Sequence, residues 1–119
     1  MLLFEVRNLG YYANLNPSVG SEMSKNRPVL IVSNDINNRA ASTITILPIT
    51  SNVSRIYPFE VFLSPSDSGL PKPSKLQAQQ IRTISKQRIN GGVVGLLNET
   101  LMQSVDAAIT LHLGLNNNR

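Results

Sequence analysis

The chain has 119 residues, 41% of them hydrophobic and 15% charged, the proportions of one small folded domain and not of a disordered tail. With no cysteine and one histidine, a disulfide scaffold, thiolate chemistry, redox switching and a multi-histidine metal cluster are all excluded. Eleven Lys plus Arg against seven Asp plus Glu give a net charge of +4, which permits a polyanionic partner without requiring one.

The opening Met-Leu-Leu-Phe run reaches Glu5 and Arg7 too soon for a signal-peptide apolar region. No later apolar stretch approaches the ~20 residues of a membrane span, so a soluble cytoplasmic protein is expected. No repeat or composition break divides the chain, which predicts a single domain over residues 1–119, its core from about 8 to 115 and a polar tail at 116–119. Gly10 to Leu15 (GYYANL) reads as a first strand running into a turn at Asn16-Pro17. Residues 16–27 are rich in turn formers and predict a long exposed loop, a place where function often resides. Pro28 to Ser33 (PVLIVS) is a continuous apolar run, the pattern of a strand buried on both faces.

Asn34-Asp35 caps one or two helical turns through Arg39. Ser42 to Thr50 (STITILPIT) predicts a strand with one buried face, its Pro48 forcing a bulge or an edge position. Pro58 to Leu63 alternates, with Phe59, Val61 and Leu63 facing one way, and residues 64–74 read as a turn-rich loop. Lys75 to Ile84 alternates throughout and predicts one continuous strand, followed by another over Gly92 to Leu96. A final helix is capped by Asn98 and stops near Gly114, with Leu101, Val105, Ala108, Leu111, His112 and Leu115 on its core face. Met102, Ile109 and Leu113 form a second apolar sector that suggests a homodimer contact. The sum is a mostly β (α+β) fold: a small antiparallel barrel or curled sheet crossed by a C-terminal helix.

His112 lies amid the helix's apolar arc, where a structural role is favoured over a catalytic one. Glu22, Asp35, Glu60, Asp67, Glu99 and Asp106 are scattered, without the spacing of a two-metal centre, and Gly91-Gly92 lacks the residues of a phosphate-binding loop. No metal or cofactor is expected. What remains is polar residues at strand ends: Ser21, Lys25 and Arg27; Thr50, Ser51 and Ser54; Gln79, Gln80 and Arg82. Taken singly, each reads more readily as a solvated loop cation or a turn-capping hydroxyl than as a functional group.

Read in order, GSEMSKNRPVLIVSND (20–35), PITSN (48–52), PFEVFL (58–63), SGLPKPS (68–74), QQIRTISKQRI (79–89) and VDAAITLHLGL (105–115) resemble the MazF/PemK family of toxin ribonucleases. The resemblance implies an SH3-like β-barrel of CcdB/PemK type and a homodimer. It also implies metal-independent, sequence-specific cleavage of single-stranded RNA (mRNA) by the toxin of a type II toxin–antitoxin system. The partners implied are RNA and a small acidic antitoxin, with operator DNA reached only through the antitoxin and no membrane. Arg27, in the R-P-V-L block, falls at the catalytic arginine and Thr50 at its hydroxyl partner. Ser21, Glu22 and Gln80 fall where relatives contact substrate, and Lys25, Ser51 and Gln79 complete the expected RNA-binding set. The resemblance departs at Asn8-Leu9-Gly10, where family members usually carry Gly, an acidic residue and Ile or Val. Two other readings stay open: a non-catalytic toxin of CcdB type acting on a protein target, and an inactive paralogue that binds antitoxin or operator DNA.

Overall fold

Two neighbouring strands, apolar on both faces, organise the chain. In the computed structural model, which describes residues 7–22 and 25–115, these are β2 (Asn26–Ile31) and β3 (Thr43–Thr50). The expectations for the opening run and the polar tail, and for Met23 and Ser24 of the exposed loop, lie outside the described residues. Around this pair stand β1 (Leu9–Asn14), β4 (Glu60–Leu63), β5 (Ser74–Gln77), β6 (Arg82–Ser85) and β7 (Ile89–Leu96). The sheet is antiparallel, in the order β4-β5-β3-β2-β1-β7, and β6 also pairs with β3. The helices are α1 (Asp35–Ala40), α2 (Pro65–Ser68) and α3 (Glu99–Leu113).

Side-chain alternation along β2 divides the core in two. Leu30 joins Leu47, Ile49, Leu63, Leu76 and Val105 beneath α3. Val29 and Ile31 join Tyr11, Ala13, Leu15, Ile44, Ile46 and Ile84 on the other face. The buried-on-both-faces reading of β2 therefore holds, although the strand begins and ends two residues earlier than expected because Asn26 and Arg27 already pair with β1. For β3 the single buried face was too few: Ile44 and Ile46 fill one layer, Leu47 and Ile49 the other. Pro48 makes neither an edge nor a bulge. It sits opposite Val29 in an unbroken register, between the stretch of β3 that pairs with β6 and the stretch that pairs with β5.

The single strand expected over Lys75 to Ile84 is two strands. Leu76 lies opposite Ile49 and Arg82 opposite Ile46, so six residues advance against three of β3, and a 3-10 turn over Ala78–Gln80 absorbs the excess. Alternation continues in sequence through this corner, which is why the pattern conceals it. The loop expected over 64–74 carries α2, closed by a reciprocal capping box between Ser64 and Asp67.

On α3 the caps fall as read, with Asn98 accepting from the Leu101 N–H at 2.8 Å and Gly114 left-handed at φ 68°. The buried stripe, however, is Met102, Val105 and Ala108, flanked by Leu101 and Ile109. Met102 and Ile109 thus serve this chain's own core and not a dimer sector. Leu111, His112 and Leu115 are exposed, because the last turn runs past the body of the core. His112 lies tilted against the Phe59 ring, at 6.1 Å between centroids, and is exposed, not a buried structural histidine.

The term barrel applies loosely, since β4 and β7 are free edges of an open sheet. The gap between them is spanned by α2, which rests on β7 at Gly95: a Cβ there would overlap the Ser68 carbonyl. Asn8, at φ 74°, takes the left-handed conformation for which glycine and asparagine are suited, and its backbone bonds both Ile31 and Leu97. Asn8 in this way forms the turn into β1. Gly95→Ala should destabilise the fold by about 1–3 kcal/mol in urea unfolding through overpacking. An unchanged midpoint would mean that α2 moves off the sheet freely.

Candidate active site

The expected catalytic residues Arg27 and Thr50 lie just past the paired stretch of β2 and β3. Val29 lies opposite Pro48 and Ile31 opposite Ile46, so continuing the same register sets Arg27 opposite Thr50. Arg27 pairs with Ala13 of β1, whose methyl belongs to the Tyr11 layer, and residues directly opposite on antiparallel strands share a face. By this continuation Arg27 and Thr50 fall at the polar end of that layer, beyond Val29 and Pro48. The Thr50 hydroxyl accepts from the Asn52 N–H at 3.2 Å, which leaves its own O–H to donate.

Arg27 lines one of two depressions, and residues of the loop entering β2 contribute to both. One is lined by Lys25, Arg27, Ser51, Leu70, Pro71 and Lys72 among others, with three cations and no carboxylate among its lining residues. The other holds Glu22, Gln79, Gln80 and Arg82. The loop is tied down from both sides. Gln80 Nε2 donates to the Ser21 carbonyl at 3.3 Å, Arg82 Nη1 to the Leu15 carbonyl at 3.2 Å, and the Glu22 carboxylate accepts from the Val19 N–H at 2.7 Å. Lys25 takes a left-handed φ of 70°, strained for a lysine, and is fixed there by bonds to the Asn16 side chain and the Leu15 N–H. Of the expected site residues, Lys25, Arg27 and Ser51 gather at the first depression, Glu22, Gln79 and Gln80 at the second, and Ser21 joins them through Gln80. Lys72 was not singled out, since an isolated lysine in a Pro-rich loop carries no periodic signal.

The sequence also concealed a buried ion pair. Glu60 and Lys75 are 6% and 7% exposed, and Lys75 Nζ lies 2.9 Å from Glu60 Oε1. The carboxylate also accepts from the Tyr57 N–H at 2.9 Å, from Gln79 Nε2 at 2.6 Å and from Gln77 Nε2 at 3.3 Å. Burial pushes the Glu60 carboxyl up, but the bonds from Tyr57, Gln79, Lys75 and Gln77 outweigh it and hold the group below its ordinary value. A carboxyl held lower in the folded than in the unfolded chain adds stability that is present above the unfolded value and lost as pH falls through the folded one. Melting temperature should accordingly drop steeply once the pH passes below about 4, the ordinary glutamate range. Glu60→Gln, less stable at neutral pH, should show a shallower acid loss in the same melts, and parallel curves would remove Glu60 as a source of the effect.

Among the described residues no three His, Cys, Asp or Glu side chains come close enough to hold a metal ion. Compared with known proteins, residues 11–113 match the family described as the PemK-like, MazF-like toxin of type II toxin–antitoxin systems. The chain is 38% identical over 110 residues to Endoribonuclease MazF9 of Mycobacterium tuberculosis, covering 88% of this chain and 92% of that protein. It is 38% identical over 106 residues to Endoribonuclease EndoA of Bacillus subtilis, covering 88% and 90%. A solved endoribonuclease in complex with its cognate antitoxin, from a mycobacterial species, superposes with a TM-score of 0.78 at 26% identity over 95% of this chain and 98% of that one. The fold is shared also with MazF of Deinococcus radiodurans, at a TM-score of 0.79 and 23% identity over 92% of this chain and 96% of that one. With its ordered motifs, its sheet and the match over residues 11–113, the chain belongs to the PemK-like, MazF-like family of type II toxins.

Proposed function

We propose that this chain is a sequence-specific endoribonuclease that cuts single-stranded RNA in the cytoplasm without a metal ion, the toxin of a type II toxin–antitoxin pair. The observation that carries the reading is that Arg27 and Thr50 each lie two residues beyond the Val29–Pro48 pair of β2 and β3, with Arg27 lining a depression together with Lys25 and Lys72. The curated relatives above are named endoribonucleases, which favours this reading over a non-catalytic toxin or an inactive paralogue.

RNA brings its own nucleophile: the 2'-hydroxyl attacks the adjacent phosphorus, the bond to the 5'-oxygen breaks, and that oxygen takes up a proton. The protein's tasks are to hold the phosphate and to stabilise charge as it grows on the phosphoryl oxygens. The Arg27 guanidinium can grip two of those oxygens at once, and the Thr50 O–H can donate to the same group. With its fork of donors suited to two phosphoryl oxygens, Arg27 acts first by charge stabilisation and only secondarily in proton transfer. Lys25 and Ser51 in the first depression, Glu22, Gln79 and Gln80 in the second, and Ser21 bonded to Gln80 are the residues we assign to contact with the strand. A homodimer fits the exposed Leu111, Leu113 and Leu115 at the end of α3, an apolar group that a second copy would cover.

The products should be a 2',3'-cyclic phosphate and a 5'-hydroxyl, formed in excess EDTA. Arg27→Ala should slow cleavage by about 10²–10³-fold, Thr50→Ala less, and Arg27→Lys should recover only part of the rate. The check is end-mapping on a long unstructured RNA. 5'-phosphate ends, loss of cutting in EDTA, or full activity of Arg27→Ala would each overturn the reading.

A small acidic antitoxin is the expected partner, its disordered segment lying over the cationic depression in competition with RNA. Saturating antitoxin peptide should release a fluorescent, uncleavable RNA from the toxin. Simultaneous binding of both would refute the shared surface.

A further inference from the structure

Lys75 stands opposite Thr50 in the sheet, and its ion pair with Glu60 joins three segments at one point. The first is the loop between β3 and β4. Lys75 Nζ donates to the Arg55 carbonyl at 2.7 Å, and Glu60 accepts the Tyr57 N–H, so the loop backbone is bound from both ends of the pair. The second is β5, through Lys75 and Gln77. The third is the 3-10 turn over Ala78–Gln80, through Gln79. That loop begins at Ser51, next to Thr50, and that turn ends at Gln80.

Glu60 also fixes which way the neighbouring amides point. Gln77 and Gln79 both direct their NH2 groups at the carboxylate, which leaves Gln77 Oε1 and Gln79 Oε1 buried without a partner among the described residues. Turning either amide over would set its oxygen against the carboxylate, so the orientation is imposed by the charge, and two orphaned acceptors are its cost. A buried ion pair is weak evidence for stability, because well-packed apolar side chains of similar size commonly serve as well. Its distinctive product here is geometry. Above it, Tyr57 stacks on Phe59 at 5.5 Å with planes 4° apart, with Arg55 over the Tyr57 ring at 5.4 Å, so the loop presents an ordered aromatic and cationic surface.

We propose that Glu60 and Lys75 are positioning residues for the RNA site: a buried clamp that holds the Ser51–Phe59 loop and the Ala78–Gln80 turn in the arrangement that selects the cleavage sequence, without touching the reacting phosphate. The clamp presupposes the endoribonuclease reading above. Its ligand is the RNA strand on either side of the cut, met by the loop's backbone, Arg55 and Tyr57 on one side and by Gln80 on the other.

The test is the double variant Glu60→Leu/Lys75→Met, which removes both charges together at nearly constant volume and so leaves no lone buried charge. On a short RNA carrying the preferred site, KM should rise by about 10- to 100-fold, with kcat changed far less, since misplacement affects strand binding and not the stabilising pair. On a long RNA the mapped cuts should spread to sequences the wild type leaves intact, still with 5'-hydroxyl ends. Folded double variant with wild-type KM and an unchanged cut pattern would overturn the clamp. A measurement on the wild type keeps the proposal exposed should the variant fail to fold: an uncleavable RNA should slow amide hydrogen exchange over residues 51–59 and 78–80, and an unchanged rate in both segments would also overturn it. Wild-type protein that cuts no RNA would instead sink the endoribonuclease reading, and the clamp with it.

Discussion

Burial of β2 and β3 on both faces is the constraint on which the remainder of the structure depends. Val29 and Ile31 fill one layer while Leu30 fills the other, and β3 matches them with Ile44 and Ile46 against Leu47 and Ile49. A one-residue slip between such strands would turn every side chain to the opposite layer, carrying Arg27 to the side of α3 and bringing Thr45 into the core. The register is thereby pinned by packing, and the two polar residues just beyond the packed stretch, Arg27 and Thr50, inherit their alignment from it. Precision at the site comes from the hydrophobic core, at positions where the site residues themselves take no part.

The loops around this rigid pair are held by polar bonds instead. Gln80, Arg82 and Glu22 restrain the loop that enters β2, and Glu60 with Lys75 restrains the loop that leaves β3. A short apolar core cannot reach so far out, since a domain of this size has little interior to spare. Hydrogen bonds to buried or half-buried groups are directional, and they suit segments that must present backbone and side chains to a flexible strand. The division of labour is physical: apolar packing sets strand register, and charge-assisted bonds set loop shape.

Closure of the sheet follows a similar economy. Hydrogen bonding leaves β4 and β7 as edges, and the four residues of α2 fill the space between them. The contact needs Gly95 on β7, where the strand and the Ser68 carbonyl approach too closely for any side chain. Nothing in a lone glycine within a strand reveals such a neighbour before the chain is folded.

Strand identity, the caps of α1 and α3 and the doubly buried character of β2 were legible in the sequence, because each depends on residues close in the chain: apolar runs, an asparagine before a helix, a glycine after it. The order of the RPVLIVS, PIT and QQIRT blocks also pointed to Arg27 and Thr50, which lie two residues beyond the Val29–Pro48 pair on their strands. Other features needed the tertiary structure. Whether Met102 or Leu111 is buried depends on where the core ends beneath α3, and the break at Ala78–Gln80 depends on β3 changing partners. The pairing of Glu60 with Lys75 depends on two residues fifteen apart in the chain meeting diagonally across β4 and β5. Local pattern determines which segments extend, coil or turn. Long-range packing decides which of their side chains lose water, and burial, more than sequence position, converts an ordinary glutamate and lysine into a joint beside the site.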